Sequence, residues 1–167
     1  IFNSIKESHN KDFNIIIVPH EINNKFINQI FRDIKELKLS VKRFTDMNNN
    51  DILDFVIYDK VGDLLDIYKY GDFAYVGCGF STGVHNVLEP ALQGCYVSHG
   101  KNISLLDEAV KLNENKLSKI IHNSSDFTDF LKNTDPVFLE TNKNKVFDLF
   151  KINYDNFNDM KEFIYES

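Results

Sequence analysis

The sequence predicts an α/β fold in which a parallel sheet is covered by helices on both faces. Short hydrophobic runs alternate with amphipathic helical segments along most of the 167 residues, which is the pattern of strands joined by crossover helices. Residues 72–98 show it most clearly, as a strand, a glycine-containing loop, a short helix and a second strand. The loop of such a unit is where ligands bind in open α/β sheets. These features indicate a Rossmann-like domain.

The first strand and the first full helix are predicted from two successive patterns. Residues 14–18 form a β-branched run that ends at Pro19, which is typical of a buried parallel strand. Residues 1–9 before it resemble the end of a helix. The segment after it has apolar residues at helical spacing for about four turns, namely Ile22, Phe26, Ile30, Ile34 and Leu37.

Two more strands and a helix precede the glycine-containing unit. Residues 41–44 predict a weak second strand, and residues 54–58 predict a third. The polar, Asn-rich residues 45–51 between them predict a surface loop. The next helix is predicted from the apolar residues Val61, Leu64, Leu65 and Tyr68.

The helix of the glycine-containing unit follows the fourth strand, residues 72–76, and is predicted to begin near Val87. Pro90 lacks an N–H and is tolerated best in a first turn, so Asn86 would be the N-cap and Glu89 would complete a capping box. The first-turn N–H groups would then point into the loop and suit a phosphate. The residues predicted to face the sheet are Val84, Val87, Leu88, Ala91 and Leu92.

The remainder of the chain predicts a fifth strand at 95–98, a further helix, a last short strand at 117–121, and helical stretches. Ser104 is predicted to cap the helix, with Asp107 at its third position and Leu105, Leu106, Ala109 and Val110 along it. Helical stretches are expected near 126–132, 138–150 and 156–165. We predict one domain over residues 1–167, truncated at its N-terminus, with C-terminal helices from about residue 124.

Composition limits the classes of function. The 19 Lys and Arg against 25 Asp and Glu give a net charge of −6, which argues against a nucleic-acid binder with a broad basic face. No apolar run approaches the ~20 residues of a membrane span. Cys78 and Cys95 are isolated thiols without metal-ligand spacing, which favours a reducing compartment. Cys78 fits a small buried residue better than a nucleophile.

Three polar segments follow predicted strands, at residues 19–21, 62–64 and 81–89. The carboxyl ends of parallel strands meet at one edge of a sheet, so we expect all three segments to lie along that edge. A nucleotide needs a phosphate cradle, an acceptor for the ribose hydroxyls and a slot for the base. The loop 81–86 suits the phosphate, Glu89 the ribose diol, and the backbone of residues 62–64 the base.

Each of these residues also has a purely structural interpretation. Glu89 completes a capping box whether or not it binds ribose. His85 suits a loop histidine bonded to nearby backbone, and His20 suits an ordinary strand exit. Gly79 and Gly83 suit turns that require positive φ. No Walker loop and no complete Gly-x-Gly-x-x-Gly fingerprint is present.

Three motifs in order resemble the 3-deoxy-D-manno-octulosonic acid (Kdo) transferases. The first is Ile17-Val-Pro-His-Glu-Ile22, the second is Tyr58-Asp-Lys-Val-Gly-Asp-Leu64, and the third runs from Asp72 to Ala91 and includes Gly-Val-His-Asn-Val-Leu-Glu-Pro. The resemblance covers roughly residues 14–109. The tail from about residue 123 carries no motif of that family.

The resemblance implies an inverting GT-B glycosyltransferase that moves Kdo from CMP-Kdo to a lipid A precursor at the cytoplasmic face of the bacterial inner membrane. The chain would be most of its C-terminal, donor-binding half, without a metal or cofactor. Its partners would be the CMP-Kdo donor and, through the other domain, the lipid A precursor and the membrane surface. The donor-binding residues implied by the motifs are Pro19, His20, Gly62, Asp63, Leu64, Ser81, Gly83, Asn86, Val87, Leu88 and Glu89.

The sequence departs from the family pattern at several positions. The family often has Gly-Gly in place of Gly77-Cys78 and usually Gly-Pro in place of His99-Gly100. Many members have Arg at the position of His20, which is a weaker phosphate partner. Inverting transfer needs a general base, and the family carries it in the acceptor domain, so no catalytic residue is predicted here.

Two other functions stay open at this point. One is a GT-B domain that uses a UDP-sugar donor. The other is a non-catalytic, truncated interaction domain, a hypothesis that the unusual His99-Gly100 pair motivates. Binding of CMP or UDP, or of neither, separates the three.

Overall fold

The structure is a computed structural model that describes residues 13–77, 86–132 and 135–151. The chain divides into two compact units, Ile1–Leu64 and Leu65–Ser167. The described strands pair in parallel and alternate with helices, as the α/β prediction requires. They pair as two three-stranded sheets, one in each unit. The helices predicted within residues 1–9 and 156–165 lie outside the described residues.

The first unit is built around a central strand. Its strand order is β1-β3-β2, with Ile15 and Val41 both in register with Phe55. Phe55 and Ile57 of β3 are fully buried, and α1 packs against β2. Its elements are β1 (Ile15–Ile17), α1 (Asn24–Glu36), β2 (Val41–Arg43), a 3₁₀ turn (Phe44–Asp46) and β3 (Phe55–Ile57).

The predicted inner face of α1 is wrong at its N-terminal end. The helix begins at Asn24, and its cap Asn23 accepts a hydrogen bond from the N–H of Lys25. Ile22 therefore precedes the helix, and Phe26 is 54% exposed. The buried face is instead formed by Ile27, Ile30 and Ile34, and the side chain of Phe26 lies outside it.

The prediction that β1 is buried is also wrong in part. Ile16 is 47% exposed, whereas Ile15 and Ile17 are half-buried. Successive side chains of a strand point to opposite faces, and β1 lies at an edge of its sheet with β3 on one side. A central strand such as β3 is covered more completely.

The second unit is built around β5. Its strand order is β4-β5-β6, and all four residues of β5 are buried. Its elements are α2 (Leu64–Tyr68, which begins at the last residue of the first unit), β4 (Phe73–Val76), α3 (Leu88–Leu92), β5 (Tyr96–His99), α4 (Asp107–Glu114), β6 (Ser118–Ile120), α5 (Ser124–Leu131) and α6 (Pro136–Phe150).

Helices cover both faces of this second sheet, as predicted. On one face Val97 belongs to an aliphatic cluster with residues from three helices, among them Leu92, Leu112 and Val146. On the other face the ring of Tyr96 lies 5.2 Å from the ring of Phe130 in α5 and 5.0 Å from a ring of α6. The two faces thus differ in chemistry, one aliphatic and one aromatic.

The predicted start of α4 is wrong. The helix begins at Asp107, three residues beyond the predicted cap Ser104, and Leu105 is 90% exposed. Leu106, which precedes the helix, donates its N–H to the carbonyl of Ile103 in a turn. Asp107 and Glu108 both occupy the first turn, where negative charge is favourable next to the helix dipole.

His99 is the polar side chain at the end of β5 and is fully buried. Its Nδ1 lies 2.9 Å from the carbonyl oxygen of Gly100, and its Nε2 lies 3.1 Å from the Ser118 hydroxyl. A carbonyl only accepts, so Nδ1 carries the proton and Nε2 accepts from Ser118. The neutral ring therefore satisfies both of its nitrogens.

We expect His99 to make folding sensitive to acid. Burial lowers the pKa of His99 below its ordinary 6.5, and the hydrogen bond to Gly100 opposes this only in part. This contribution to stability is complete above about pH 6.5 and is lost as the pH falls through the folded-state pKa. In urea unfolding at about pH 7, 6 and 5, the native chain should lose more stability than a His99→Gln variant. Parallel losses in the two proteins would contradict this role.

Candidate functional site

Parallel pairing brings two of the three predicted segments to one edge of the first sheet. Ile17 is in register with Ile57, and the N–H of Tyr58 donates to the carbonyl of Ile17 at 2.8 Å. The chain therefore leaves β1 towards Pro19 and leaves β3 towards Gly62 at the same edge. Pro19 is buried and His20 is exposed.

The segment after β3 is held in place from within. Gly62 has a φ of 102°, a conformation that favours glycine, and open space surrounds the position of a Cβ. Beyond Gly62, the Oδ2 of Asp63 accepts a hydrogen bond from the hydroxyl of Tyr58 at 2.5 Å. Since Tyr58 is only 7% exposed, the exposed Asp63 carboxylate is fixed to the core of the unit. Leu64, the last of the predicted residues, begins α2.

Side chains also connect the exit of β2 to the exit of β3. The ring of Phe44 lies 4.6 Å from the ring of Tyr58, and the Nζ of Lys60 lies 4.9 Å from the centre of the Phe44 ring. Thr45 donates its N–H and its hydroxyl to the carboxylate of Asp59. Burial raises the pKa of Asp59, but these hydrogen bonds, with one from its own backbone N–H and the positive charge of Arg43, outweigh burial and lower the pKa overall.

Sequence reasoning did not identify Phe44, Tyr58 or Lys60 as parts of this edge. Tyr58 and Lys60 belong to the second motif, but the motif predicts ligand contacts only at its glycine turn. An aromatic residue directly after β2 and another directly after β3 was the available signal, because neighbouring parallel strands place such residues side by side.

The start of α3 in the second unit is capped as predicted. The Oδ1 of Asn86 accepts the N–H groups of Leu88 and Glu89 at 3.0 and 3.1 Å, which is the N-cap interaction. The Nδ2 of Asn86 donates to the carboxylate of Glu89 at 2.9 Å. The pair is reciprocal, like a capping box, although here Glu89 bonds the cap side chain.

This capping has consequences for the predicted ligand contacts. The N–H groups of Leu88 and Glu89 already have an acceptor in Asn86, so a phosphate at this helix start would have to replace it. Val87 and Leu88 are buried side chains of the aliphatic cluster. Burial raises the pKa of the half-buried Glu89 carboxyl group. The capping interpretation of Glu89 is thus supported, and its ribose contact stays a prediction.

Replacement of Asn86 by Ala should destabilise the chain by about 1 kcal/mol, because two helix N–H groups lose their acceptor. Asn86→Ser keeps a side-chain acceptor and should retain most of that stability. Urea unfolding of the three proteins measures the difference. Equal midpoints for Asn86→Ala and the native chain would show that the cap contributes nothing.

The rest of the third segment lies outside the described residues. This applies to the predicted donor contacts Ser81 and Gly83, and to Cys78, Gly79 and His85. Pro19 to Leu64 and Asn86 to Glu89 belong to different units. The convergence of all three segments on one ligand therefore stays a prediction.

The described residues show no group of three or more His, Cys, Asp or Glu side chains that could hold a metal ion. The thiol of Cys95 is buried, and its single hydrogen is shared between the carbonyl oxygens of Tyr68 and Gly71, which lie 3.3 and 3.1 Å from the sulfur. Burial, and then the nearby Asp72, raise the pKa of Cys95 to about 12. Cys95 is a structural thiol.

Among the residues that the structure describes, no helix is long and apolar enough to cross a bilayer.

Comparison with known proteins finds similarity in sequence and in fold. No family model matches the chain. A bifunctional glycosyltransferase/methyltransferase of Fusobacterium nucleatum subsp. nucleatum is 30% identical over 122 residues, which are 70% of this chain and 19% of that protein. The C-terminal CMP-Kdo binding domain of WaaA from Acinetobacter baumannii has a TM-score of 0.77 at 18% identity, over 90% of this chain and 81% of that one.

The structural similarity confirms the Rossmann-like α/β fold. The matched structure is a CMP-Kdo binding domain, the kind of domain that the three motifs indicate, so the resemblance is confirmed at the level of the fold. The similarity in sequence is to a protein of the glycosyltransferase type. The chain spans about a fifth of that relative's length.

Proposed function

We propose that this chain is the donor-binding domain of a glycosyltransferase that transfers Kdo from CMP-Kdo to a lipid A precursor. The observation that carries the proposal is the fold similarity to a CMP-Kdo binding domain over most of the chain. The three sequence motifs support the same donor. The sequence similarity to a glycosyltransferase supports the reaction class.

In the first unit, the cytosine base of the donor would lie against the turn of Gly62, Asp63 and Leu64. Pro19 and His20 lie at the same edge of the sheet and would contact the donor beside it. The exposed His20 would offer an imidazole N–H to a phosphate, and the buried Pro19 restricts the backbone from which it projects. The hydrogen bond between Tyr58 and Asp63 keeps the turn in one conformation, which reduces the entropy lost on binding.

In the second unit, the proposal assigns the ribose hydroxyls to Glu89. A carboxylate has several lone-pair positions, so Glu89 can accept the amide of Asn86 and a ribose hydroxyl together. Asn86, Val87 and Leu88 would contribute through the helix start, and Ser81 and Gly83 through the preceding loop. These assignments follow the third motif.

We also propose that the acceptor side of the reaction lies outside this chain. The lipid A precursor, the general base and the contact with the cytoplasmic face of the inner membrane would belong to another domain. By itself the 167-residue chain should bind CMP and transfer no sugar.

Isothermal calorimetry on the chain should show weak binding of CMP and weaker binding of UMP, GMP and AMP. The reason is that the proposed donor is a CMP-sugar, so its base site should favour cytosine. Competition with UDP tests the UDP-sugar alternative. Binding of no nucleotide at all would favour the non-catalytic interaction domain and refute the donor-binding proposal.

Glu89→Gln should abolish detectable CMP binding with little loss of stability. Gln keeps an oxygen that accepts from Asn86 but removes the negative charge that attracts the ribose diol. Calorimetry measures CMP binding, and the midpoint of thermal unfolding shows whether the helix cap is kept. The exposed Glu114→Gln is the matched control and should bind CMP like the native chain. Retained CMP binding in Glu89→Gln would show that Glu89 only caps the helix.

A further inference from the structure

We propose that the carboxylate of Asp63, oriented by the hydroxyl of Tyr58, accepts a hydrogen bond from the 4-amino group of cytosine and so selects cytidine over uridine nucleotides. This inference rests on the proposed function, because it takes the turn at Gly62 as the base site. It assigns the selectivity for the base to the Asp63 side chain, whereas the sequence predicts only that the backbone of residues 62–64 lines the base.

The geometry fixes one carboxylate oxygen and leaves the other as an acceptor. Oδ2 of Asp63 receives the hydrogen of the Tyr58 hydroxyl. An ionised carboxylate has about four lone-pair sites on two oxygens, so Oδ1 keeps its capacity to accept. The Asp63 side chain is exposed and therefore accessible to a ligand.

Tyr58 is suited to orient this carboxylate. Its side chain is 7% exposed, and its ring contacts the ring of Phe44, with centres 4.6 Å apart. Its own N–H is bonded to β1 through Ile17. The hydroxyl is therefore a fixed donor, and the carboxylate it holds is positioned before any ligand arrives.

Cytosine and uracil differ at the atom that such a carboxylate would contact. Cytosine carries an amino group, a hydrogen-bond donor, where uracil carries a carbonyl oxygen, an acceptor. Acidic side chains accept from the cytosine amino group in nucleic-acid recognition. Opposite uracil, two acceptors would face each other and both would lose their hydrogen bonds to water. The same carboxylate therefore attracts one base and disfavours the other.

A structural role for the Tyr58–Asp63 bond is the competing interpretation. If the bond only closed the turn at Gly62, its loss would weaken CMP and UMP binding alike. If Asp63 contacts the base, its substitution changes the ratio of the two affinities. The ratio of the UMP and CMP dissociation constants is therefore the informative measurement.

The test uses the 167-residue chain, its Asp63→Asn variant and calorimetry with CMP and UMP. Asn can present either an oxygen or an amide N–H, so it can pair with both bases. We expect the ratio to fall at least about tenfold in Asp63→Asn. Asp66→Asn is the matched control, because it removes the same charge three residues further on, where Asp66 is paired with Lys69. Its ratio should equal that of the native chain.

Tyr58→Phe tests the orienting step and covers the case in which Asp63→Asn does not fold. It keeps the ring against Phe44 and removes the hydroxyl donor to Asp63, so the ratio should fall, though less than in Asp63→Asn. Thr45→Val is its control, because it removes a different hydroxyl hydrogen bond at the same edge of the sheet, to Asp59, and should leave the ratio unchanged.

The outcomes separate this inference from the proposed function. Absence of CMP binding to the native chain would overturn the proposed function and the inference with it. Selective CMP binding by the native chain, with the same ratio in folded Asp63→Asn or Tyr58→Phe, would overturn the inference alone. Equal binding of CMP and UMP by the native chain would overturn the inference and favour the UDP-sugar alternative.

Discussion

Parallel pairing around a buried central strand is the constraint on which both units depend. In the first unit β3 is hydrogen-bonded on both sides, and Phe55 and Ile57 are fully buried. In the second unit every residue of β5 is buried. Because the strands are parallel, their carboxyl ends are forced to one edge of each sheet. Segments far apart in sequence, such as those after β1 and β3, therefore become neighbours without any direct contact being needed to bring them together.

The polar groups at that edge are organised by hydrogen bonds to the fold itself. Tyr58 continues β3 and holds Asp63, while Thr45 after β2 holds Asp59. The Thr45–Asp59 contact joins the exits of β2 and β3, whereas the Tyr58–Asp63 contact closes the segment that follows β3. Each contact orients a carboxylate through the fold itself. A substitution at this edge must therefore be judged by its effect on stability as well as on ligand binding.

The sequence was informative where one local rule decided the structure. Short hydrophobic runs located the strands, and the requirement that Pro90 lie in a first turn located the start of α3 next to Asn86. It was misleading where rules competed. Ile22 and Phe26 fit the helical period of α1, but the helix begins only after Ile22, and Phe26 lies outside the face that is buried. The order β1-β3-β2 and the Tyr58–Asp63 bond depend on tertiary contacts and on the positive φ of Gly62, which composition and spacing do not encode.

Glu89 shows why some functional assignments require more than a pattern. A carboxylate three residues after Asn86 is what a capping box needs and also what a ribose site at a helix start needs, so the spacing cannot separate the two. The structure shows the carboxylate bonded to Asn86 and partly removed from water, with its pKa raised by that burial. A carboxylate in the first turn is favourable next to the helix dipole whether or not a ligand binds, while its partial burial adds a desolvation cost. A ribose diol would offset that cost with two further donors, so the binding measurement on Glu89→Gln, and not the spacing, separates a cap from a ribose contact.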